Sequence, residues 1–141
     1  MLDLISNHLL SLMIFLPVAG AFLLLFIRNA DAVRRIAIAF SLAELALCIP
    51  LLMNFNPATA AMQFAESAEW VKAWNIYYKL GVDGISVLFV ALTALLTVIS
   101  IMVSWTAIQD RVREFMIAML ILEAAMVGVF VAMDLFLFYI F

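Results

Sequence analysis

Four stretches of mostly apolar residues, each about as long as a helix that crosses a bilayer, constrain this chain more than any other feature. They cover about residues 9–27, 36–53, 85–108 and 115–133, and a fifth apolar run occupies 135–141. A spanning helix needs about 20 such residues, because lipid offers no hydrogen-bond partner to an open backbone. The sequence therefore predicts an all-α membrane protein with four transmembrane helices and the start of a fifth.

The composition agrees with this assignment. Of the 141 residues, 70% are hydrophobic and 12% are charged, and the mean hydropathy of +1.26 lies far above that of soluble domains. Residues 1–141 are predicted to form a single membrane domain. Because Cys48 is the only cysteine, neither disulfides nor iron–sulfur ligation is predicted. The last apolar run covers only about a third of a span, so we expect the chain to be truncated.

The basic residues predict the orientation. Five of the seven lie in two short connections, Arg28, Arg34 and Arg35 between helices one and two, and Arg111 and Arg113 between helices three and four. The other segments carry only Lys72 and Lys79. By the positive-inside rule, the two arginine connections face the bacterial cytoplasm or organelle matrix, and the amino terminus faces outside.

The connection at 54–82, predicted to lie outside, is too long and too aromatic for a simple linker. Its segment NIYYKLGV, which starts at residue 75, alternates so that Ile76, Tyr78, Leu80 and Val82 share one side, and Asn75, Tyr77, Lys79 and Gly81 share the other. This pattern predicts a structured loop with a possible short β-hairpin. Alternatively, Trp70, Trp74, Tyr77 and Tyr78 belong to an aromatic belt at the membrane interface.

A stripe of hydroxyl groups follows one face of the third helix. Ser86, Thr93, Thr97, Ser100 and Ser104 recur at spacings that keep them within a narrow arc. The stripe could line an internal file of water molecules. It could equally serve close helix packing, with each hydroxyl bonding to a neighbouring helix or to its own backbone.

Two acidic residues interrupt the apolar helices. Glu123 lies near the middle of the run MLILEAAMVGVFVAM, and Glu44 lies at about the middle of the second helix. Such residues are costly in a membrane, face the protein interior and often mark ion or proton paths. We expect Glu123 to be the main candidate for a proton path and Glu44 a weaker one, with a structural role in packing as the alternative for each.

Three further positions are predicted to shape the helices rather than to carry chemistry. Asp83 precedes the third helix and is predicted to be its N-terminal cap, with Gly84 supplying local backbone freedom. Gly128 lies on the fourth helix in a seam with Ala124 and Ala132, and small residues at this spacing favour tight helix packing. No metal site is predicted.

Two segments of the sequence resemble a known family. LGVDGISVLFVALTALLT and REFMIAMLILEAAMVGVFVAMDLFLFYIF resemble the antiporter-like proton-pumping membrane subunits of respiratory complex I, most closely subunit 4, also called chain M. The resemblance covers essentially the whole chain. It implies that the chain is the amino-terminal part of a larger subunit of about fourteen helices, and that Glu123 matches a family glutamate secondary to a carboxylate on the next helix.

The resemblance also implies a function. We expect a membrane subunit of a proton-translocating NADH:quinone oxidoreductase, with no redox chemistry on this chain and with NADH, flavin, iron–sulfur clusters and quinone in partner subunits. The expected partners are the other membrane subunits of complex I, the lipid bilayer and protons, with no nucleic acid. The expected location is a bacterial inner membrane, with the mitochondrial inner membrane second. The alternatives are a subunit of a related multi-subunit sodium/proton antiporter, or a non-catalytic membrane scaffold.

Overall fold

The structure is a computed structural model that describes residues 8–59, 61–71 and 76–141. Lys72, Trp74 and the first residue of the NIYYKLGV segment lie outside these ranges. The described elements are α1 Leu9–Leu24, α2 Ala30–Asn54, β1 Gln63–Val71, β2 Ile76–Val82, α3 Ser86–Ala107, α4 Val112–Val131 and α5 Leu135–Ile140.

Three of the described helices are long and apolar enough to cross a membrane: α2 with 25 residues, α3 with 22 and α4 with 20. The first helix, α1, is apolar but has only 16 residues. Large apolar side chains such as Phe15, Phe22 and Leu88 are exposed on the outside of the bundle, as expected for a surface that lipid covers. A mostly helical chain with membrane-spanning helices is thus confirmed, with three rather than four of full spanning length among the described residues.

Helix α2 begins earlier than the predicted residue 36. Asn29 caps it, because its Oδ1 accepts hydrogen bonds from the backbone N–H groups of Asp31 at 2.9 Å and Ala32 at 3.1 Å. Arg34 and Arg35 therefore lie in the helix and not in a loop. The hydropathy window missed this start, since a helix begins where its first N–H groups find acceptors and not where its apolar residues begin.

Other predicted helix ends shift for similar local reasons. Beyond the end of α1, hydrogen bonds from residue i+3 to residue i tighten the chain into a 3₁₀-type turn that reaches Ile27. Helix α4 begins at Val112, not at residue 115, directly after Arg111, whose φ of 50° lies in the left-handed region. It ends before Ala132, which is extended and forms a β-bridge with Leu80.

The long connection between α2 and α3 contains a two-stranded antiparallel sheet. Glu66 of β1 is paired in register with Leu80 of β2. Ile76, Leu80 and Val82 are buried and Lys79 is exposed, as the alternation predicts. The alternation is not complete, because Tyr77 and Tyr78 are both half-buried and Gly81 is buried. The predicted pairing of short strands is confirmed, so the chain is a helical bundle with a small sheet rather than purely α.

The sheet covers one end of the bundle and joins elements that are distant in sequence. The backbone N–H of Met133 donates to the carbonyl of Lys79 at 2.9 Å, next to the bridge between Leu80 and Ala132. Strand β2 is thereby attached to the junction between α4 and α5. Helix α5 starts there, with Asp134 as its N-cap.

The two arginine connections meet at the opposite end of the bundle. Arg34 of α2 is buried, and its Nη2 donates to the Ile108 carbonyl at 2.8 Å and to Oε1 of Gln109 at 3.2 Å. Its Nη1 donates to Asp31 at 3.2 Å. Because Ile108 directly follows α3, the guanidinium lies at the negative end of that helix dipole and ties α2 to α3.

Candidate functional site

Two buried carboxyl groups lie in the middle of the helix bundle, Glu44 on α2 and Glu123 on α4. Both residues have 0% of their surface exposed. The sequence pointed to each of them separately, but no spacing rule could show that they meet. The structure places their side chains close enough for their charges to interact.

The two carboxyl groups, together with Thr97 of α3, form a polar layer between two apolar clusters. The cluster nearer the sheet includes Cys48, Ala94 and Val127, and the cluster nearer the arginine connections includes Ala37, Ile101 and Leu120. Each helix thus carries buried apolar residues on both sides of the layer. Any proton or ion that moves between the clusters would meet these groups first.

The hydrogen bonding of this polar layer is incomplete. None of the four carboxyl oxygens of Glu44 and Glu123 has a well-formed hydrogen bond to a described residue. The Thr97 hydroxyl lies close enough to Glu123 to interact with it, but it donates its proton to the Thr93 carbonyl at 3.0 Å. Since buried polar groups in native proteins are normally paired, such orphaned oxygens call for a partner such as water or an ion.

No cation offsets the polar layer within the described ranges. The ion pairs in those ranges join Arg34 to Asp31 and Arg111 to Glu114, and the imidazole of His8 lies beside Glu66; all three contacts lie towards the ends of the bundle. Two neighbouring carboxylates without a cation repel each other and are poorly solvated. The layer is therefore suited to holding and passing on a proton rather than to binding an anion.

The hydroxyl stripe of α3 bonds mainly to its own helix. Thr93 donates to the Phe89 carbonyl at 2.8 Å, and Ser104 donates to the Ser100 carbonyl at 2.7 Å. Thr97 follows the same pattern, four residues from its acceptor. This bonding matches the alternative of hydroxyls that satisfy their own backbone, and the file of water molecules stays a prediction.

A third buried carboxyl, Glu66 of β1, was missed by sequence reasoning. Its Oε1 accepts hydrogen bonds from the backbone N–H groups of Leu10 at 2.8 Å and Ser11 at 3.2 Å, and its Oε2 accepts one from the Ser11 hydroxyl. Tyr78 bonds to the same hydroxyl at 2.9 Å, and Nδ1 of His8 lies 3.9 Å from Glu66. Glu66 therefore caps α1 from 55 residues away, a distance at which no local motif signals a cap.

The surroundings of Glu66 also change the acidity of Tyr78. Burial raises the pKa of the Tyr78 phenol above its ordinary value of 10.0, and the nearby Glu66 carboxylate raises it further. The hydrogen bond with Ser11 acts in the opposite direction. Tyr78 thus stays a neutral hydrogen-bonding group at ordinary pH.

At the start of α3, Asp83 accepts hydrogen bonds from the backbone N–H groups of Ser86 at 2.7 Å and Ile85 at 3.0 Å. The bond from Ser86 is the main reason that the pKa of the Asp83 carboxyl lies below its ordinary value of 3.8. Gly84 departs from its predicted role, because its φ is not positive. A β-carbon there would meet only the Phe55 ring, at 4.0 Å, so neither backbone freedom nor tight packing requires glycine.

The small residue Gly128 does allow close packing. A β-carbon at this position would lie 2.5 Å from the ring of Phe141, well inside van der Waals contact. Gly20 of α1 plays a similar part that the sequence analysis did not assign, because a β-carbon there would lie 2.7 Å from the Phe40 ring. Among the described residues, no group of three or more His, Cys, Asp or Glu side chains is placed to hold a metal ion.

The chain was compared with known proteins, and no family model matches it. It is 42% identical to NADH-quinone oxidoreductase subunit M of Rhodobacter capsulatus, over 96% of this chain and 27% of that protein. It is also 42% identical to NADH-ubiquinone oxidoreductase chain 4 of Arabidopsis thaliana, over 94% of this chain and 27% of that protein. A third relative is F(420)H(2) dehydrogenase subunit M of Methanosarcina mazei, 34% identical over 93% of this chain and 26% of that protein.

The chain thus spans about a quarter of the length of these curated relatives. The aligned portion nevertheless covers nearly the whole of this chain. Along nearly its whole length, the chain is therefore homologous to a segment of the subunit M and chain 4 proteins of NADH-quinone and NADH-ubiquinone oxidoreductases.

Proposed function

We propose that this chain forms part of the membrane arm of a proton-translocating NADH:quinone oxidoreductase, and that Glu123 and Glu44 belong to a proton path within it. The single observation that carries the proposal is the polar layer, in which two fully buried carboxyl groups from different helices approach each other, and no described residue supplies them with a well-formed hydrogen bond or a cation. Intramembrane acidic residues of this kind commonly mark proton relays.

The chemistry of such a path follows from the layer itself. A carboxyl group can take a proton from one neighbour and pass it to another, provided that water or a second donor comes within hydrogen-bonding distance. Glu123 and Glu44 supply two such groups on neighbouring helices, and the Thr97 hydroxyl adds a rotatable donor and acceptor. Ordered water between them would satisfy the open oxygens and connect the groups.

The names of the relatives support the placement in a redox complex. Proteins named for two different electron donors, NADH and F(420)H(2), share this segment with the chain. We therefore assign the electron-donor chemistry to other subunits. On this proposal the chain binds no NADH, flavin, iron–sulfur cluster or quinone, and its partners are the other membrane subunits, lipid and the transferred protons.

The proposal also includes a topology. Helix α1, lengthened by its 3₁₀-type turn to Ile27, crosses the membrane beside α2, α3 and α4, and α5 starts a fifth span in the amino-terminal part of a larger subunit. The arginine connections lie together at one end and the sheet at the other, so the positive-inside rule puts the amino terminus and the sheet outside. The location that we propose is a bacterial cell membrane, with the mitochondrial inner membrane as the alternative.

The test measures proton flux per assembled complex in the full-length subunit that carries Glu123→Gln. The amide keeps the shape of the side chain but cannot ionise, so we expect flux to fall partially while assembly stays intact. Asp110→Asn is the matched control, since Asp110 is an exposed acid in the connection before α4. Its flux should equal that of the unchanged protein.

The alternative functions give different outcomes in the same assay. A scaffold would show normal flux in Glu123→Gln and poor assembly in Glu123→Ala, which adds a cavity to the lost carboxyl. A sodium/proton antiporter would show flux that depends on a sodium gradient rather than on oxidation of NADH. Either result would remove the proposed role.

A further inference from the structure

A cavity of about 420 Å³ opens at the end of the bundle where the two arginine connections meet. Its charged lining consists of Arg28 from the first connection, and Arg111, Arg113 and Glu114 from the start of α4. Three guanidinium groups thus surround a space that contains one carboxylate. The cavity is separate from the layer of Glu44 and Glu123, which lies in the middle of the bundle.

The charges of this cavity are unbalanced. Glu114 forms an ion pair with Arg111 at a spacing of three residues. Within residues 8–59, 61–71 and 76–141, Arg28 and Arg113 have no carboxylate partner. The cavity therefore keeps two guanidinium groups free to bind an anion, and planar guanidinium groups match the geometry of phosphate oxygens.

The segment that leads to Arg28 indicates which anion fits. The end of α1 and the turn after it expose Phe22, Leu25 and Phe26, with 63%, 53% and 72% of their surfaces accessible, and Arg28 of the cavity follows two residues later. A phosphate dissolved in water gains nothing from these apolar side chains. A phospholipid carries both a phosphate and acyl chains, and its phosphate lies at the depth where the spanning helices end.

We propose that this cavity binds the phosphate group of an anionic phospholipid, held by Arg28 and Arg113, while the lipid's acyl chain lies along the exposed end of α1. The backbone N–H groups at the start of α4 assist, because its N-cap residue Arg111 makes no side-chain capping hydrogen bond in the described part of the chain and helix N-termini favour phosphate. A lipid bound there would hold the α1–α2 connection against the start of α4.

The experiment uses photoreactive phosphatidylglycerol and photoreactive phosphatidylcholine in membranes that contain the assembled complex with the full-length subunit. Cross-links to residues 22–27 are counted by mass spectrometry and normalised to the amount of complex. In the unchanged protein, phosphatidylglycerol should label this segment at least about fivefold more than phosphatidylcholine, since one surface arginine contributes roughly that factor. Equal labelling by the two lipids would overturn the proposal.

Variants then assign the preference to the cavity. Arg28→Gln with Arg113→Gln should reduce phosphatidylglycerol labelling to the level of phosphatidylcholine, and Arg28→Lys with Arg113→Lys should retain part of the preference. Arg35→Gln is the matched control, because Arg35 is an exposed arginine at the same end that does not line the cavity, and its preference should not change. If the double glutamine variant assembles poorly, the double lysine variant decides the test. Unchanged phosphatidylglycerol labelling in the double lysine variant, together with reduced labelling in Arg35→Gln, would contradict the site.

A last measurement tests whether the site binds a lipid or free phosphate. Inorganic phosphate is added at the same ionic strength as a chloride control. A lipid site keeps its labelling, because the acyl chain adds binding that phosphate lacks. Displacement of the phosphatidylglycerol label by inorganic phosphate would instead show a site for free phosphate and would overturn the lipid assignment.

Discussion

The buried carboxyl at the sheet and the carboxyl pair in the middle of the bundle show two opposite ways to bury an acid. Glu66 accepts three hydrogen bonds and closes the N-terminus of α1. Glu44 and Glu123 are at least as buried, yet no hydrogen bond reaches their oxygens from a described residue. Burial alone therefore does not identify a functional acid; the partners of its oxygens separate a structural group from a candidate for proton transfer.

The two kinds of buried acid contribute differently to the stability of the folded protein. Hydrogen bonds to a charged carboxylate at a helix N-terminus stabilise the folded protein, and removing them leaves donors without acceptors. An acid without partners contributes little to stability and is retained for another reason. Substitutions at the two places should therefore change different observables.

The largest difference is expected in the free energy of unfolding when Glu66 and Glu123 are each replaced by leucine. Glu66→Leu should lower the free energy of unfolding by about 2–3 kcal/mol, because the N–H groups of Leu10 and Ser11 lose their acceptor. Glu123→Leu should be neutral or slightly stabilising, since an apolar side chain replaces an unpaired buried acid. Reversible unfolding of the full-length subunit in mixed micelles measures both, and equal losses would erase the distinction.

The second prediction concerns proton flux and tests whether Glu44 and Glu123 act together. If Glu44 and Glu123 act in one path, the double change Glu44→Gln with Glu123→Gln should lower flux no more than the worse of the single changes. Glu66→Gln should leave flux per assembled complex unchanged, because Glu66 lies at the sheet. Losses that multiply would indicate two independent routes.

A third and smaller effect concerns the influence of Glu66 on the pKa of Tyr78. An ionised Glu66 helps to raise the pKa of Tyr78, so Glu66→Gln should lower that pKa towards its ordinary value of 10.0. With a raised pKa, the contribution of Tyr78 to stability is present below pH 10 and is lost as the pH rises through the folded pKa. Ultraviolet titration of the phenols measures the change, with Tyr78→Phe identifying the signal. An unchanged pKa would show that the Glu66 side chain does not act on the Tyr78 phenol and would weaken the contrast.

Much of the architecture was readable from the sequence because lipid imposes a strong requirement on composition. Windows of apolar residues located all the long helices, and alternation located β2. The start of α2 was not found in this way, because Asn29 sets it through hydrogen bonds to Asp31 and Ala32. That signal lies in a polar stretch which a hydropathy window passes over.

Only part of the candidate site could be predicted from the sequence. Glu123 stands out because one acid interrupts an apolar run, but its approach to Glu44 depends on how α2 and α4 pack, which no local pattern contains. The buried role of Glu66 was not predicted at all, because an acidic residue in a polar segment gives no signal of burial. Its burial results from the packing of the sheet against α1. Contacts between residues far apart in sequence were the information that the sequence did not display.

The smallest effect is expected at Asp83, a half-buried residue whose carboxylate caps α3. Its pKa is below the ordinary 3.8, chiefly because the Ser86 N–H bonds to the charged form. The stabilising contribution is therefore fully present above pH 3.8 and is lost as the pH falls through the lower, folded pKa. Asp83→Asn should keep the cap and abolish this pH dependence, because the amide oxygen still accepts hydrogen bonds but does not titrate in this range. Asp83→Ala should cost at most about 1 kcal/mol at neutral pH. Amide exchange at Ile85 and Ser86, compared between the variants at each pH, measures both effects, and an acid-induced opening that persists in Asp83→Asn would place its cause at another group.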